Sequence, residues 1–282
     1  IPNIPANARW VHNGLTVAGG NKNGNATHQL NDPLGFDFDD NGQTMFIADH
    51  NNHRIVQWKV SDTTITIGQV VAGGNGQGNR LNQLVVQWSL RQGTTQSEVI
   101  LDNIDCATLT MDDQRRLYVS VWDKHEVRRY EIGDKKRTVV AGGYGRGAAL
   151  NQLNGPYYLF VDQEQAVYVS DDSHRVTKWN NGAKEGIIVA GGQGYGDALT
   201  QLSHPKGIFV DRLGTVYVAD ELNHRVMRWP KGATRGTVIA GGNGVGQGAN
   251  QLSRPFDLSF DRHSNLYVVE RENHRVQRFS IV

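Results

Sequence analysis

Short apolar runs separated by turn residues recur along the whole chain. In the segment 202–251, four such runs follow one another, at Gly207–Val210, Val216–Ala219, Arg225–Trp229 and Thr237–Ala240. Runs of this length are typical of β-strands and too short for helices, and Gly, Pro, Asn and Asp between them mark turns. No long window shows helical periodicity. The pattern therefore predicts an all-β protein of many short strands.

Two sequence markers repeat along the chain at the same interval. One is Ala-Gly-Gly and the other is a histidine usually followed by Arg and an aliphatic residue, and both recur about every 50 residues in the second half. The Ala-Gly-Gly copies begin at Ala18, Ala72, Ala141, Ala190 and Ala240, and the histidines are His53, His125, His174, His224 and His274. Four short strands per repeat of this length predict a β-propeller, in which each repeat is one four-stranded antiparallel blade.

The two ends of the chain predict how the ring closes. The segment 13–20, NGLTVAGG, has the sequence of a fourth strand with no blade before it, whereas the chain ends after a third strand. A single blade cannot cover its own apolar faces, so the blades must pack in a closed ring. We expect the N-terminal strand to complete the last blade.

The repeated elements ADELNHRVMRW (219–229) and PKGIFVD (205–211) resemble NHL repeats, and the resemblance covers nearly the whole chain. It implies one NHL-repeat propeller domain over residues 1–282, with 1–12 as an N-terminal lead-in. Similar propellers usually have six blades, so the resemblance also implies six blade positions.

One stretch is irregular. The interval between Ala72 and Ala141 is too long for one repeat and too short for two. Within it, Val85–Leu90 has the sequence of a third strand and SEVILDN that of a fourth, but about 23 residues, an inner strand pair, are absent before Val85. We therefore expect an incomplete sixth blade over residues 85–101. Five blades closing around an extra hairpin are the alternative.

The amino-acid composition limits the classes of partner that the protein is expected to bind. Lys and Arg number 29 against 28 Asp and Glu, so no broad basic surface is expected for nucleic acid or an acidic membrane. No apolar stretch approaches the roughly 20 residues of a membrane span. The chain starts at Ile1 rather than Met, and Asn25 opens a glycosylation triplet, Asn-Ala-Thr. These features favour a secreted product over a cytoplasmic one, and a monomer is the default.

The repeated residues predict structural roles. His53, His174, His224 and His274 recur once per blade, so they cannot converge on one metal, and we expect hydrogen bonds between strands and neighbouring blades. Trp58, Trp179 and Trp229 end equivalent third strands and are predicted to pack in the core. No metal site is predicted, although a structural cation held by carbonyls in the channel would leave no sequence trace.

Positions that differ between blades are the better candidates for ligand contact. After the proline that opens the first strand come Leu34, Tyr157, Lys206 and Phe256, with Ala107 at the aligned position in the blade without that proline and Arg254 flanking Phe256. In a four-stranded meander these positions lie near the loops joining second to third strands and fourth strands to the next blade. Loops on a rigid frame commonly carry function. The candidate binding site is therefore the channel mouth formed by Leu34, Tyr157, Lys206, Arg254 and Phe256.

The family resemblance offers one catalytic precedent. NHL-like propellers include a peptide-amidating lyase whose channel zinc is held by histidines after the first-strand proline, but Leu34, Tyr157, Lys206 and Phe256 stand there in this chain. No Gly-x-Ser-x-Gly nucleophile string is present either. We therefore predict no catalytic residues and no cofactor, and consider a propeller hydrolase or lyase the weaker hypothesis.

The same resemblance suggests the partners. NHL propellers of tripartite-motif proteins bind RNA or proteins through the loop-bearing face. RNA recognition requires a basic face with aromatics for stacking, which the near-neutral charge does not favour. The predicted function is a non-catalytic scaffold for a protein or peptide, with RNA binding as the alternative.

Overall fold

The protein is a β-propeller of five complete blades. The computed structural model describes residues 1–39, 41–60, 68–74, 85–88, 97–101, 106–131 and 137–282, and their strands form five four-stranded antiparallel sheets and one two-stranded sheet. Blade 1 contains β2 (Pro33–Phe38), β3 (Thr44–Asp49), β4 (Arg54–Lys59) and β5 (Gln69–Gly73). Blade 2 contains β8 (Cys106–Met111), β9 (Arg116–Val121), β10 (Glu126–Glu131) and β11 (Arg137–Gly142). Blade 3 contains β12 (Leu159–Val161), β13 (Val167–Asp171), β14 (Arg175–Trp179) and β15 (Ile187–Gly191). Blade 4 contains β16 (Pro205–Val210), β17 (Val216–Asp220), β18 (Arg225–Trp229) and β19 (Thr237–Gly241). Blade 5 contains β20 (Pro255–Phe260), β21 (Leu266–Glu270), β22 (Arg275–Phe279) and β1 (Leu15–Gly19).

The expectation of six blade positions is wrong. Between blades 1 and 2 in the chain, β6 (Val85–Trp88) and β7 (Ser97–Leu101) pair with each other as an antiparallel sheet, which has two strands among the described residues. The two strands predicted in this stretch are present, but the segment is too short to add the two further strands of a blade. Chain length thus sets the number of complete blades at five.

The ring closes as the N-terminal strand predicts. In blade 5, β1 pairs antiparallel with β22, with Leu15 opposite Arg278 and Gly19 opposite Arg275. The first strands of neighbouring blades contact one another, β8 with β12, β12 with β16, β16 with β20 and β20 with β2. These first strands therefore line the centre of the ring.

The residues before β1 form part of the core. Ile4 is 1% exposed and Trp10 is 6% exposed, and both join the cluster between blades 4 and 5. The Trp10 indole nitrogen donates to the carbonyl of Ser264 over 2.9 Å, and its ring lies 5.6 Å from that of Phe260. The lead-in thus covers apolar surface of the last two blades and ties the N terminus to them.

The blades pack through apolar faces that carry the third-strand tryptophans. Trp58, Trp179 and Trp229 are each at most 1% exposed. Trp229 belongs to a cluster that joins Val176 of blade 3 to Ile208 of blade 4. Burial of such large side chains between neighbouring sheets supplies the apolar stabilisation that a single blade lacks.

The two sequence markers recur together because they touch. In blade 4 the second residue of Ala-Gly-Gly, Gly241, has a φ of +68°, and a Cβ there would lie 2.4 Å from the carbonyl oxygen of His224. His224 itself adopts the left-handed conformation, with a φ of 52°. Only glycine combines this backbone conformation with this approach. The carbonyl of the repeated histidine therefore lies where only a glycine fits opposite it, which explains why the two markers occur together.

Candidate functional site

The repeated acidic and arginine residues hold the glycine-rich loops on one face of the ring. The Asp220 carboxylate is fully buried and accepts from Arg225 Nε over 2.7 Å and from the backbone N–H of Ser203 over 2.7 Å. Arg225 then donates to the carbonyls of Asp197 and Ala198, in the loop that precedes the blade. We call this buried pair with its loop contacts the clamp. Equivalent clamps form at Asp49–Arg54, Asp171–Arg175 and Glu270–Arg275.

Three of the five repeated histidines, His125, His224 and His274, join their blade to the next one. His224 Nδ1 accepts the backbone N–H of Arg254 over 3.1 Å. His125 makes the same contact with Gly155, and His274 makes it with Asp32 across the ring closure. His174 differs, because its Nδ1 is buried without a hydrogen bond within the described residues. His53 is exposed.

The candidate residues Tyr157, Lys206 and Phe256 meet at the centre of the loop-bearing face, which we call the channel mouth. Lys206 Nζ lies 3.5 Å from the Tyr157 ring centroid and 5.8 Å from that of Phe256. The two rings are 5.7 Å apart in an edge-to-face arrangement. Lys206 is 6% exposed and Phe256 2%, whereas Tyr157 is half-buried. Three different blades thus build one cation–aromatic cluster.

The Lys206 ammonium has a loose counterion. Glu221 Oε2 lies 3.9 Å from Nζ, beyond hydrogen-bond distance. Burial lowers the pKa of Lys206, while the charges of Glu221 and Asp172 raise it.

Arg254 reaches the mouth but is already paired. Its Nε lies 2.9 Å from Glu221 Oε1 and its Nη1 3.3 Å from Glu272 Oε1. Glu221 is 3% exposed and sits on the short turn Glu221–Asn223 after β17. The arginine therefore neutralises a buried carboxylate that lies within 3.9 Å of Lys206 as well.

Leu34 takes part through its backbone. Its carbonyl accepts from the hydroxyl of Tyr158, which stands at the start of the first strand of blade 3, whereas Leu34 lies in blade 1. These blades are not neighbours in the ring, so the tyrosine crosses the channel. Burial raises the pKa of Tyr158 well above its usual value, which keeps the hydroxyl protonated as the donor.

An unusual carboxyl group lies beside this tyrosine. Asp257 accepts from the backbone N–H of Phe36 over 3.2 Å and from that of Leu258 over 2.8 Å. Burial raises its pKa to about 8, although both hydrogen bonds lower it. A Cβ at Gly207 would lie 2.6 Å from Asp257 Oδ1 and one at Gly35 would lie 3.3 Å from Oδ2. Two glycines thus leave the room that Asp257 and Tyr158 occupy.

Sequence reasoning missed a second variable set at the mouth. The position directly after the second strand of each blade holds a different residue every time: His50, Trp122, Asp172, Glu221 and Arg271. Arg271 pairs with Asp32 over 2.5 Å, and the Trp122 side chain is 46% exposed. The signal was available, because these positions vary between blades just as those after the proline do.

The charges at the mouth are mixed. The cationic groups are Lys206, Arg254 and Arg271, and the acidic groups are Asp32, Asp172, Glu221 and Glu272. Most of them pair with one another, so the surface is not a basic one.

The remaining predicted positions lie elsewhere. Asn25 is exposed on the loop between β1 and β2, and its carbonyl accepts from Arg54 Nη1 over 2.7 Å. Within the described ranges, no three His, Cys, Asp or Glu residues are grouped to hold a metal ion. No helix in the described part of the chain has the length and apolar character needed to cross a membrane.

A surface cavity of about 630 Å³ also lies away from the mouth. It is bounded by the outer strand of blade 2 and the turn after β14, with Glu126, Arg129, Tyr144 and Lys184 among its lining residues. None of the channel-mouth candidates is among its lining residues, whereas the repeated Trp179 is.

This chain is a β-propeller. Similar solved structures include an auxiliary nutrient binding protein from Bacteroides thetaiotaomicron, with 14% identity, a TM-score of 0.75 and coverage of 97% of this chain and 77% of that chain. A PQQ-bound aldose sugar dehydrogenase from Streptomyces coelicolor matches with 14% identity, a TM-score of 0.63 and coverage of 99% and 100%. Virginiamycin B lyase from Staphylococcus aureus matches with 12% identity, a TM-score of 0.54 and coverage of 93% and 99%.

These likenesses show the fold. No protein-family model matches the sequence. No curated protein matches it. The NHL resemblance therefore stays a prediction.

Proposed function

We propose that this propeller is a non-catalytic scaffold that binds a peptide, or an extended segment of a protein, at the channel mouth. The observation that carries the proposal is the convergence of Tyr157, Lys206 and Phe256, which occupy equivalent but variable positions in three blades. The repeated residues are occupied by the fold itself, whereas these residues have no equivalent role in every blade.

The structural neighbours do not decide between binding and catalysis. Their names describe a binding protein, a lyase and a dehydrogenase, and one fold hosts many functions. Support for binding comes from the pairing at the mouth. Arg254 with Glu221 and Arg271 with Asp32 fix the surface around Tyr157, and a preorganised surface loses little entropy on association.

The side chains at the mouth favour a peptide over RNA. Trp122 and Tyr157 present amphipathic rings, which suit protein interfaces. The acidic residues Asp172 and Glu221 stand close to Lys206, so the described mouth is not the extended basic surface that the repeated charges of a phosphate backbone require.

The test is selection of random peptides displayed on phage, with wild type and two variants as targets. Tyr157→Ala removes the central ring, and Leu213→Ala is the control because Leu213 is 50% exposed on the turn between β16 and β17, on the opposite face. We expect peptides selected on wild type to bind the control equally and Tyr157→Ala at least about tenfold more weakly. Equal binding to all three proteins would overturn the assignment, and retention of RNA that is lost steeply with salt would favour RNA binding instead.

A further inference from the structure

Lys206 is the most unusual side chain at the mouth, because the side chain as a whole is buried while its ammonium group makes no hydrogen bond within the described residues. Its side chain is 7% exposed, and its nearest polar partner is Glu221 Oε2 at 3.9 Å. The centroid of the Tyr157 ring lies 3.5 Å from Nζ, so the ring face contacts the charge but offers no lone pair for a conventional hydrogen bond. An ammonium group has three donors, and those of Lys206 are left to solvent or to a bound ligand, because its nearest described carboxylate lies beyond hydrogen-bond distance.

We propose that Lys206 is the anchor for a carboxylate group of the bound peptide. The inference rests on the proposed function and names the chemical group that the site recognises. A carboxylate entering the mouth would supply the acceptors that Nζ lacks, in charge-assisted hydrogen bonds that are stronger in this poorly solvated place than in water.

Lys206 shares its nearest carboxylate with an arginine that lies closer to it. Lys206 and Arg254 share Glu221, which is 4% exposed on its side chain. The other partner of Arg254 is Glu272, whose side chain is 51% exposed and therefore well screened by solvent. Glu221 thus lies 2.9 Å from Arg254 but 3.9 Å from Lys206, so among the described cations of the mouth Lys206 has the most distant carboxylate, and a ligand carboxylate could approach it more closely.

The aromatic residues restrict how the carboxylate approaches. Tyr157 lies against Nζ, and Phe256 stands 5.8 Å from it. Phe256 also faces Arg271, at 5.7 Å from the guanidinium carbon. These rings exclude water from the flanks, so the open side of the ammonium is the mouth itself. Burial lowers the pKa of Lys206, and a bound carboxylate would raise it again.

The experiment uses three pools of random-sequence peptides and affinity measurement on the full chain. The first pool has free C termini, the second is amidated but retains Asp and Glu, and the third is amidated and lacks both. We expect wild type to prefer one or both carboxylate-bearing pools over the third by about ten- to hundredfold. Preference for the first assigns a C-terminal carboxylate, and preference for the second assigns an acidic side chain.

Matched variants test the role of Lys206 itself. Lys206→Met keeps the length of the side chain without its charge and should abolish the preference, whereas Lys231→Met, on the turn after β18 on the opposite face, should retain it. Equal binding of all pools by wild type, or an intact preference in Lys206→Met, would overturn the carboxylate anchor while leaving the proposed function standing. Failure of every pool to bind would instead overturn the proposed function.

A second readout needs no variant at Lys206. Peptides of the preferred pool should protect Lys206 of wild type from reductive methylation, as read by peptide mass mapping, while Lys231 stays reactive. Unchanged methylation of Lys206 at saturating peptide would contradict the anchor even if Lys206→Met fails to fold.

Discussion

Blades 4 and 2 have the same four-stranded topology but differ in how they hold the loop before them. Blade 4 has the clamp, with Asp220 and Arg225 buried together. The equivalent positions in blade 2 are Val121 and Glu126, and Glu126 pairs within its own strand with Arg128 over 2.6 Å. A long glycine-rich segment precedes blade 4 in the sequence, whereas only residues 102–105, DNID, separate β7 from blade 2. The clamp is therefore present where a glycine-rich segment precedes the blade, and a four-stranded blade can form without it.

The largest expected difference in stability is between loss of a buried core tryptophan and loss of an exposed tryptophan on the loop-bearing face. Trp229→Ala in blade 4 should lower the free energy of unfolding by about 3–5 kcal/mol, because it leaves a cavity where a 1% exposed ring stood. Trp122→Ala in blade 2 removes a 46% exposed ring and should cost at most about 1 kcal/mol. Denaturant unfolding of both variants measures the difference, and equal losses would show that Trp122 packs like a core residue.

The clamp should contribute next. Arg225→Ala leaves the Asp220 carboxylate buried without its partner, and we expect a loss of about 3 kcal/mol in unfolding free energy. Glu126→Ala removes the pair of blade 2, which within the described residues lacks the contacts to a preceding loop and is somewhat less buried than the clamp, with side chains 11% and 14% exposed, and the expected loss is smaller, about 1–2 kcal/mol. Denaturant unfolding under identical conditions compares them. Similar losses would contradict this prediction, because they would show that the clamp contributes no more to stability than the ion pair of blade 2.

A third effect depends on pH and concerns the first strands. Asp257 of blade 5 has a pKa of about 8 because of burial, whereas blade 2 carries the neutral Thr108 at the aligned position. A carboxyl group with a raised native pKa stabilises the fold fully below its unfolded pKa of about 4, and this contribution is lost as the pH rises to about 8. We expect a loss of roughly 2 kcal/mol, discounted because the group is only half-buried.

Asp257→Asn tests this slope. The amide keeps the shape without the ionisation, so the variant should lose less thermal stability than wild type between mildly acidic and mildly alkaline pH. Parallel melting-temperature profiles for the two proteins would contradict the raised pKa.

The smallest effect should be shared by both blades. His224→Ala and His125→Ala each remove one hydrogen bond to the next blade, from Arg254 and Gly155 respectively. Each should cost about 1 kcal/mol, since one backbone donor loses its partner. The exposed His53 serves as the control, with a change within about 0.5 kcal/mol. A loss confined to blade 4 would tie the histidine to the clamp.

Repetition explains what could be predicted from the sequence. The strand pattern and the ring closure follow from short apolar runs and from the unpaired fourth strand at residues 13–20, which are local signals. The predicted number of blades was wrong because it followed the six blades usual in similar propellers, whereas the stretch between Ala72 and Ala141 is too short for a further complete blade. Trp10 had no repeat partner to place it, although it packs against Phe260.

The residues of the mouth were only partly predictable, because they do not repeat from blade to blade. Tyr157, Lys206 and Phe256 were found because they vary at an aligned position, and the structure brings them together. Glu221 and Arg271 vary in the same way one residue after the repeated acid, but their meeting with the first-strand residues depends on how the blades tilt around the axis. The pairing of Tyr158 with Leu34 crosses the ring and has no sequence periodicity at all.

The hydroxyl of Tyr158 donates to the carbonyl of Leu34 and so places a side chain across the axis of the ring, between two blades that are not neighbours. A partner bound at the mouth would meet this side chain before it could pass to the opposite face, so we expect such a partner to enter and leave by the same side. The bond also ties blade 1 directly to blade 3, which the contacts between neighbouring blades do not do.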